Sequence, residues 1–266
     1  MIASENYHPF IAVDLLGFER VTQESKDMGS IIKPYVEFCS KAFNALNMNK
    51  QNIFPEPIVQ VFSDTILISA ENHTQDFYDV DDYIKFMIKS LSKLIHDSVI
   101  SLDTDYESDS EPSFQNSIKI VPIPIRAAFT LNKYYAAKQF PVFGGQITPF
   151  IVGKAVAKAC AWEKKLDWFG ASFDNETYEY MKNNKKIIVQ ELIANKLIVE
   201  YNVPTKGDSI ITYAVNFYKK NSIDRLRTSL KKHEERNIGN KDVLAKCKGT
   251  MNFLEYCHKN DLAVIE

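Results

Sequence analysis

Pro9-Phe-Ile-Ala-Val-Asp14-Leu-Leu-Gly17-Phe18 is an apolar run of strand length with one acid inside it, and from Glu19 the chain turns polar and helix-like. The pattern reads as a central strand that ends in a charged residue. A second acid occurs in a similar setting. Pro57-Ile-Val-Gln60-Val-Phe-Ser-Asp64-Thr-Ile-Leu-Ile-Ser69 forms two short β-branched runs around Ser63-Asp64, a hairpin with an acid at its tip. A carboxylate at a buried strand end is costly unless it is hydrogen-bonded or beside a cation, and two that face each other repel. Divalent metal removes that repulsion, and Mg²⁺ typically binds through one or two carboxylates plus phosphate oxygens. Taken singly, Asp14 and Asp64 each read first as a satisfied strand-end or turn residue. As a pair on adjacent strands they point to a metal.

Outward from these strands the periodicity changes. Apolar positions from Ile31 to Leu46 and from Ile84 to Ile95 recur at helical spacing, the second set in an amphipathic helix over Asp81–Val99. Between Ser101 and Ser117 acids alternate with polar residues. The stretch lacks the Gly and the closing Glu of a calcium loop, so it reads as a solvated insertion. A strand over Ile118–Leu131, broken by Pro122 and Pro124, leads to a Gly144-Gly145 turn and a helix over Gly153–Leu166. A helix over Glu176–Asn184 and strands over Lys196–Tyr201 and Ile210–Phe217, joined by a turn at Val203–Asp208, follow. Two helices then complete the chain, with apolar positions Ile223, Leu226 and Leu230, and Val243, Leu244, Cys247, Met251 and Leu254. The order βαββαβ predicts an α+β fold, a ferredoxin-like antiparallel sheet covered on one side, with a C-terminal helical extension. The expected organisation is one domain over 1–218, with an acidic insertion at 101–117, and the extension over 219–266.

The ordered motifs resemble those of the class III adenylate and guanylate cyclases. Asp14-Leu15-Leu16-Gly17-Phe18 is similar to the first metal motif, and Val61-Phe-Ser-Asp64 to the second. Ile125-Arg126-Ala-Ala-Phe resembles the strand whose Arg contacts the triphosphate. Gly153-Lys-Ala-Val156-Ala-Lys-Ala159-Cys-Ala-Trp162-Glu163 is similar to the Gly-x-x-Val-x-x-Ala-x-x-Leu-Glu helix, and Val203-Pro-Thr-Lys206-Gly207-Asp208 to the terminal Lys-Gly hairpin. The resemblance covers residues 8 to 218.

It implies a nucleoside triphosphate as substrate, Mg²⁺ or Mn²⁺ held by Asp14 and Asp64, and phosphate donors from Arg126, Lys206 and the backbone of Leu15, Leu16, Gly17 and Phe18. It also implies a homodimer or a heteromeric cyclase partner, because sites of this family form between two domains. Lys206 lies two positions beyond the usual phosphate Lys, where this chain has Pro204. Ala157 and Ala161 replace the Asn and Arg that orient the ribose and stabilise the transition state, and losing one preorganised donor costs on the order of 10²- to 10³-fold in rate. Two readings follow: an active cyclase, or a degenerate homologue acting as a nucleotide-binding or dimerising regulator. Gln60 and Phe150 stand where an adenine reader has Lys and Asp, which favours UTP or CTP and is similar to the Pycsar-type pyrimidine cyclases of antiphage defence.

Composition narrows the alternatives. A net charge of -2 and a pI near 6.2 provide no global field to hold nucleic acid, so none is expected as a partner. The absence of a long apolar run or a signal-like N-terminus predicts no membrane span and a cytoplasmic protein. Cys39, Cys160, Cys247 and Cys257 form no paired metal or disulfide spacing.

Overall fold

The computed structural model describes residues 7–16, 57–62, 64–70, 79–103, 124–141 and 147–265, and of 138–141 and 147–148 the backbone only. The elements expected at 30–48, the Gly144-Gly145 turn, most of the acidic insertion, and Gly17 and Phe18 lie outside the described residues.

The apolar run at the start forms β1 (His8–Leu15), every residue of which is buried. The hairpin forms as β2 (Ile58–Phe62) and β3 (Thr65–Ser69), closed by the Phe62–Thr65 pair. Helix α1 (Val80–Ser101) follows, its start fixed by the Asp79 carboxylate, which accepts from the amides of Asp81 and Asp82 at 2.7 and 3.2 Å. Its buried face carries Ile84, Met87, Ile88, Leu91 and Ile95, at the period that the sequence shows. β4 (Ile125–Asn132) pairs antiparallel with β1 along its whole length. The resulting order β2-β3-β1-β4 is the ferredoxin-like one.

In the second half one pairing departs from the expected antiparallel sheet. β7 (Ala171–Phe173) pairs parallel with β4, and the hairpin β8 (Ile198–Thr205) with β9 (Asp208–Val215) continues the sheet in the order β7-β9-β8. The turn at Val203–Asp208 is tighter than expected, because Val203, Pro204 and Thr205 pair with Ile210, Ser209 and Asp208, which leaves only Lys206 and Gly207 as the turn. Neither β7 nor the separate hairpin of β5 (Tyr134–Pro141) and β6 (Ile147–Gly153) stands out in the sequence, and helix α4 (Lys186–Ala194) is hidden behind a helix pattern that was expected to stop at Asn184. Since β1 and β4 are buried at every position, the centre of the sheet is covered on both faces rather than one.

Two helices pack on that centre: α1, and α2 (Lys154–Glu163), whose Ala155 and Ala159 are fully buried. α3 (Asn175–Asn184) packs beside β4 and β9. The tail forms α5 (Ile223–Arg236) and α6 (Lys241–Lys259); Ile223, Leu226, Leu230, Cys247 and Leu254 of their apolar stripes are buried, and α5 packs on α1 and on α6. Among the described residues no helix is long and apolar enough to cross a membrane.

Two glycines separate strain from crowding. Gly153 begins α2 at φ 141°, and a Cβ there would lie 2.7 Å from the Tyr134 Cα. Gly207 has φ 88° but nothing within 4 Å of that position. Gly153→Ala is therefore expected to cost about 3 kcal/mol or more and Gly207→Ala about 1 kcal/mol, measured by urea unfolding, because only the first meets backbone that cannot yield.

Candidate active site

β1 and β4 are registered so that Asp14 stands opposite Arg126, with Thr65 of β3 on its other side. The hairpin tip is drawn to the same end of β1, since the Leu15 amide donates to the Asp64 carbonyl at 2.8 Å. Antiparallel pairing thus brings both acids of the sequence motif to one corner. Asp14 is only 8% exposed, whereas Asp64 is half-buried and makes no ion pair or side-chain hydrogen bond among the described residues.

A third carboxylate joins them. Glu163, the last residue of α2, is 1% exposed. Arg126 Nε donates to both Asp14 Oδ2 and Glu163 Oε1 at 2.9 Å, its Nη2 lies 2.9 Å from Asp14 Oδ2, and its Nη1 donates to the Leu166 carbonyl at 3.3 Å. The guanidinium expected to reach a triphosphate is thus engaged by the protein on all of its nitrogens. The Leu15 and Leu16 amides, expected to face phosphates, are taken as well, by the carbonyls of Asp64 and Pro124.

The electrostatics follow from this crowding. Burial raises the Asp14 carboxyl, Arg126 opposes the shift, and the nearby Asp64 charge adds to it. Burial, and then the negative charge of Asp14, push Glu163 up to about 7. One cation therefore faces close to one net negative charge when Glu163 holds its proton. Glu163 Oε2 is buried without a hydrogen-bond partner among the described residues. The role of Glu163 was not assigned from sequence, although a signal existed. It follows Ala155 and Ala159 at helical spacing, and an acid on the buried face of a helix requires a cation partner.

The remaining candidates are spread around this centre. Lys206 is exposed in the β8–β9 turn, and its amide donates to the Lys165 carbonyl at 2.8 Å, one residue before the carbonyl that receives Arg126. Gln60 on β2 is half-buried, with its Oε1 lacking a hydrogen-bond partner among the described residues. Phe150 on β6 faces the Tyr135 ring, centroids 6.5 Å apart, and β2 packs against β6, which brings the two base-reading positions onto neighbouring elements. Ala157 and Ala161 are both exposed on the outer face of α2. Lys154 and Lys158, which could have replaced their missing donors, are paired with Glu176.

The donor set fits a hard divalent cation. Asp14 and Asp64 offer carboxylate oxygens at one corner, with the Asp64 side chain not committed elsewhere among the described residues. No group of three or more His, Cys, Asp or Glu is arranged to hold a metal among the described residues, so an ion there would depend on oxygens from a ligand. Cys247 and Cys257 are buried thiols pushed up to about 12, far from the thiolate that a metal requires.

No family model matches the sequence, and no curated protein matches it. Solved structures do. A bacterial light-regulated adenylyl cyclase superposes with a TM-score of 0.51 at 11% identity, over 88% of this chain and 58% of that one. The adenylyl cyclase CyaB from P. aeruginosa is similar over 83% of this chain and 98% of its own, at 12% identity and a TM-score of 0.47. A class III adenylyl cyclase-like ATP-binding protein from Pseudomonas aeruginosa gives a TM-score of 0.41 at 8% identity, over 97% of this chain and 44% of that one. The architecture is the class III nucleotide cyclase fold.

The raised Glu163 carboxyl has a consequence for stability. The folded protein holds that proton up to about pH 7, whereas the unfolded chain releases it near the ordinary value of 4.5. Stability is therefore expected to be greatest below about pH 4.5 with respect to this group and to fall as pH rises through 7. In Glu163→Gln, thermal melts recorded across that range should lose much of the slope, leaving the part due to Asp14.

Proposed function

We propose that the corner formed by Asp14 and Asp64 binds a nucleoside triphosphate with Mg²⁺ or Mn²⁺ and converts it to a 3',5'-cyclic nucleotide and pyrophosphate. The observation that carries this reading is the convergence of two carboxylates from adjacent strands, one buried and repelled by the other, on a cyclase fold. In the reaction the ribose 3'-oxygen releases its proton to solvent and bonds to the α-phosphorus, while the bond from that phosphorus to pyrophosphate breaks and pyrophosphate leaves with the bonding electrons. Bound divalent metal would stabilise the attacking and leaving oxygens. Asp14 and Asp64 would hold it, and Arg126 opposes the upward shift that burial imposes on the Asp14 carboxyl. For Arg126 to reach phosphate as well, its guanidinium would exchange one carboxylate for a phosphate oxygen, a ligand of the same charge and fork geometry. Lys206 would add a point charge from the hairpin turn.

The active unit in this proposal is a homodimer or a pairing with another cyclase domain. Val61, Phe62 and Val152 are exposed apolar side chains on β2 and β6, and Ala157 and Ala161 are exposed on α2, so a partner surface could bring the missing donors to this side. A second reading, that of a nucleotide-binding or dimerising regulator, is favoured by one specific observation. Neither Ala157 nor Ala161 can donate a hydrogen bond, and the neighbouring Lys154 and Lys158 are occupied by Glu176. The base is read as uracil or cytosine: the Gln60 Oε1, without a partner among the described residues, suits a base N–H, and the Phe150 ring takes space that a purine's second ring needs. A cytoplasmic second-messenger role of the Pycsar type in antiphage defence accords with that base.

Incubation with each of the four triphosphates and Mg²⁺ or Mn²⁺, with pyrophosphate release and product mass recorded, tests the proposal. Cyclic UMP or cyclic CMP should dominate, and Phe150→Ala should relax the preference. Dominant cyclic AMP or cyclic GMP would contradict the base assignment alone. Asp14→Ala and Asp64→Ala should each abolish metal-dependent triphosphate binding in calorimetry while the chain still folds. Binding without turnover in the parent protein would select the regulator.

A further inference from the structure

The segment Leu166–Gly170, between α2 and β7, touches three parts of the molecule. Toward β4, the Leu166 carbonyl receives Arg126 Nη1 at 3.3 Å, and the Gly170 carbonyl receives the amide of Ala127, the residue after Arg126, at 2.9 Å. Toward the β8–β9 hairpin, Leu166 bridges to Thr205 and the Asp167 amide donates to the Pro204 carbonyl at 3.0 Å. Beside that, the Lys206 amide reaches Lys165 at 2.8 Å. Toward the C-terminus it meets α6. The Phe169 amide donates to Thr250 Oγ1 at 2.7 Å, Lys246 Nζ lies 3.4 Å from the Asp167 carboxylate, and the Trp168 and Phe253 rings meet edge to face with centroids 5.0 Å apart. Gly249 closes the contact. A Cβ there would lie 3.0 Å from the Asp167 carbonyl and 3.1 Å from Pro204 Cγ, so helix, segment and hairpin meet without room for a side chain.

We infer that α6 is a strut of the candidate site and that Thr250 is a positioning residue, which sets the placement of Arg126 and Lys206 through the Leu166–Gly170 segment. The inference rests on the nucleotide reading for its consequence on ligand binding, but not for its mechanical part. Thr250 Oγ1 is buried and is the hydrogen-bond acceptor of the Phe169 amide, while its own proton reaches the Lys246 carbonyl at 2.8 Å. Removing the hydroxyl leaves a buried amide unpaired, and the segment must shift to satisfy it. That shift moves the Leu166 carbonyl, and with it the guanidinium that faces Asp14. It also moves the hairpin that presents Lys206. The tail beyond the sheet thus acts on the site without touching it.

Thr250→Val and Thr250→Ser test this. Amide hydrogen exchange at Ala127 and Lys206 should quicken about tenfold in Thr250→Val relative to amides in the middle of α1, and metal-triphosphate affinity by calorimetry should fall roughly tenfold. Thr250→Ser keeps the hydroxyl and should restore both. Lys246→Met, which removes the ion pair to Asp167 but keeps an apolar stem, should move both readouts in the same direction and serves if the valine variant does not fold. A lower melting temperature with unchanged exchange at Ala127 and Lys206 would reduce Thr250 to ordinary packing and overturn the inference. So would failure of the serine variant to restore them. If the parent chain binds no triphosphate, the nucleotide reading falls, and the exchange comparison still decides whether α6 is a strut.

Discussion

A guanidinium cannot be buried unless the protein supplies the hydrogen bonds that water would have made, and here Arg126 obtains them from Asp14 on β1, Glu163 at the end of α2 and the Leu166 carbonyl beyond it. The partners come from two distant parts of the chain. To satisfy one side chain, β1 must pair with β4 in the observed register, α2 must lie close on the sheet, and the chain after α2 must turn back toward β4. Deleting Arg126 would leave uncompensated buried carboxylates, at about 3–5 kcal/mol. The fully buried Ala155 and Ala159 allow the helix to approach closely enough for Glu163 to reach.

The same cluster sets the charge at the corner. Repulsion and burial drive two neighbouring acids to take up a proton, and Arg126 counters this at Asp14 while Glu163, pushed up to about 7, holds the proton instead. The Asp64 side chain is left without a hydrogen-bond or ion-pair partner among the described residues. A corner with one compensated and one uncommitted carboxylate differs from a purely structural ion pair, in which every charge is matched.

Around it the chain is braced from outside the ferredoxin-like half. β7 enters parallel to β4, the β8–β9 hairpin leans on the segment after α2, and α6 presses on that segment where Gly249 leaves no space. Function in such an arrangement is sensitive to residues that lie far from any ligand, because a small displacement of the segment is transmitted through hydrogen bonds of fixed length. The C-terminal helices are part of that bracing as well as an extension of the chain.

Much of this was legible in the sequence. The continuous apolar run ending in Asp14, the β-branched hairpin around Asp64 and the helical stripe from Ile84 to Ile95 carry their own period, and period follows from local backbone geometry. β7 and α4 were not legible, since a three-residue strand has too few positions to alternate and α4 follows α3 with a single residue between them. The sequence by itself determined which segments are strands and helices near the two acids, and that those acids stand at strand ends. Only the tertiary structure decided that Arg126 is held inward, that the Leu15 and Leu16 amides are already bonded, and that Glu163 belongs with Asp14. Those facts depend on which groups meet across long stretches of chain, and a partner far away in sequence leaves no mark on local periodicity.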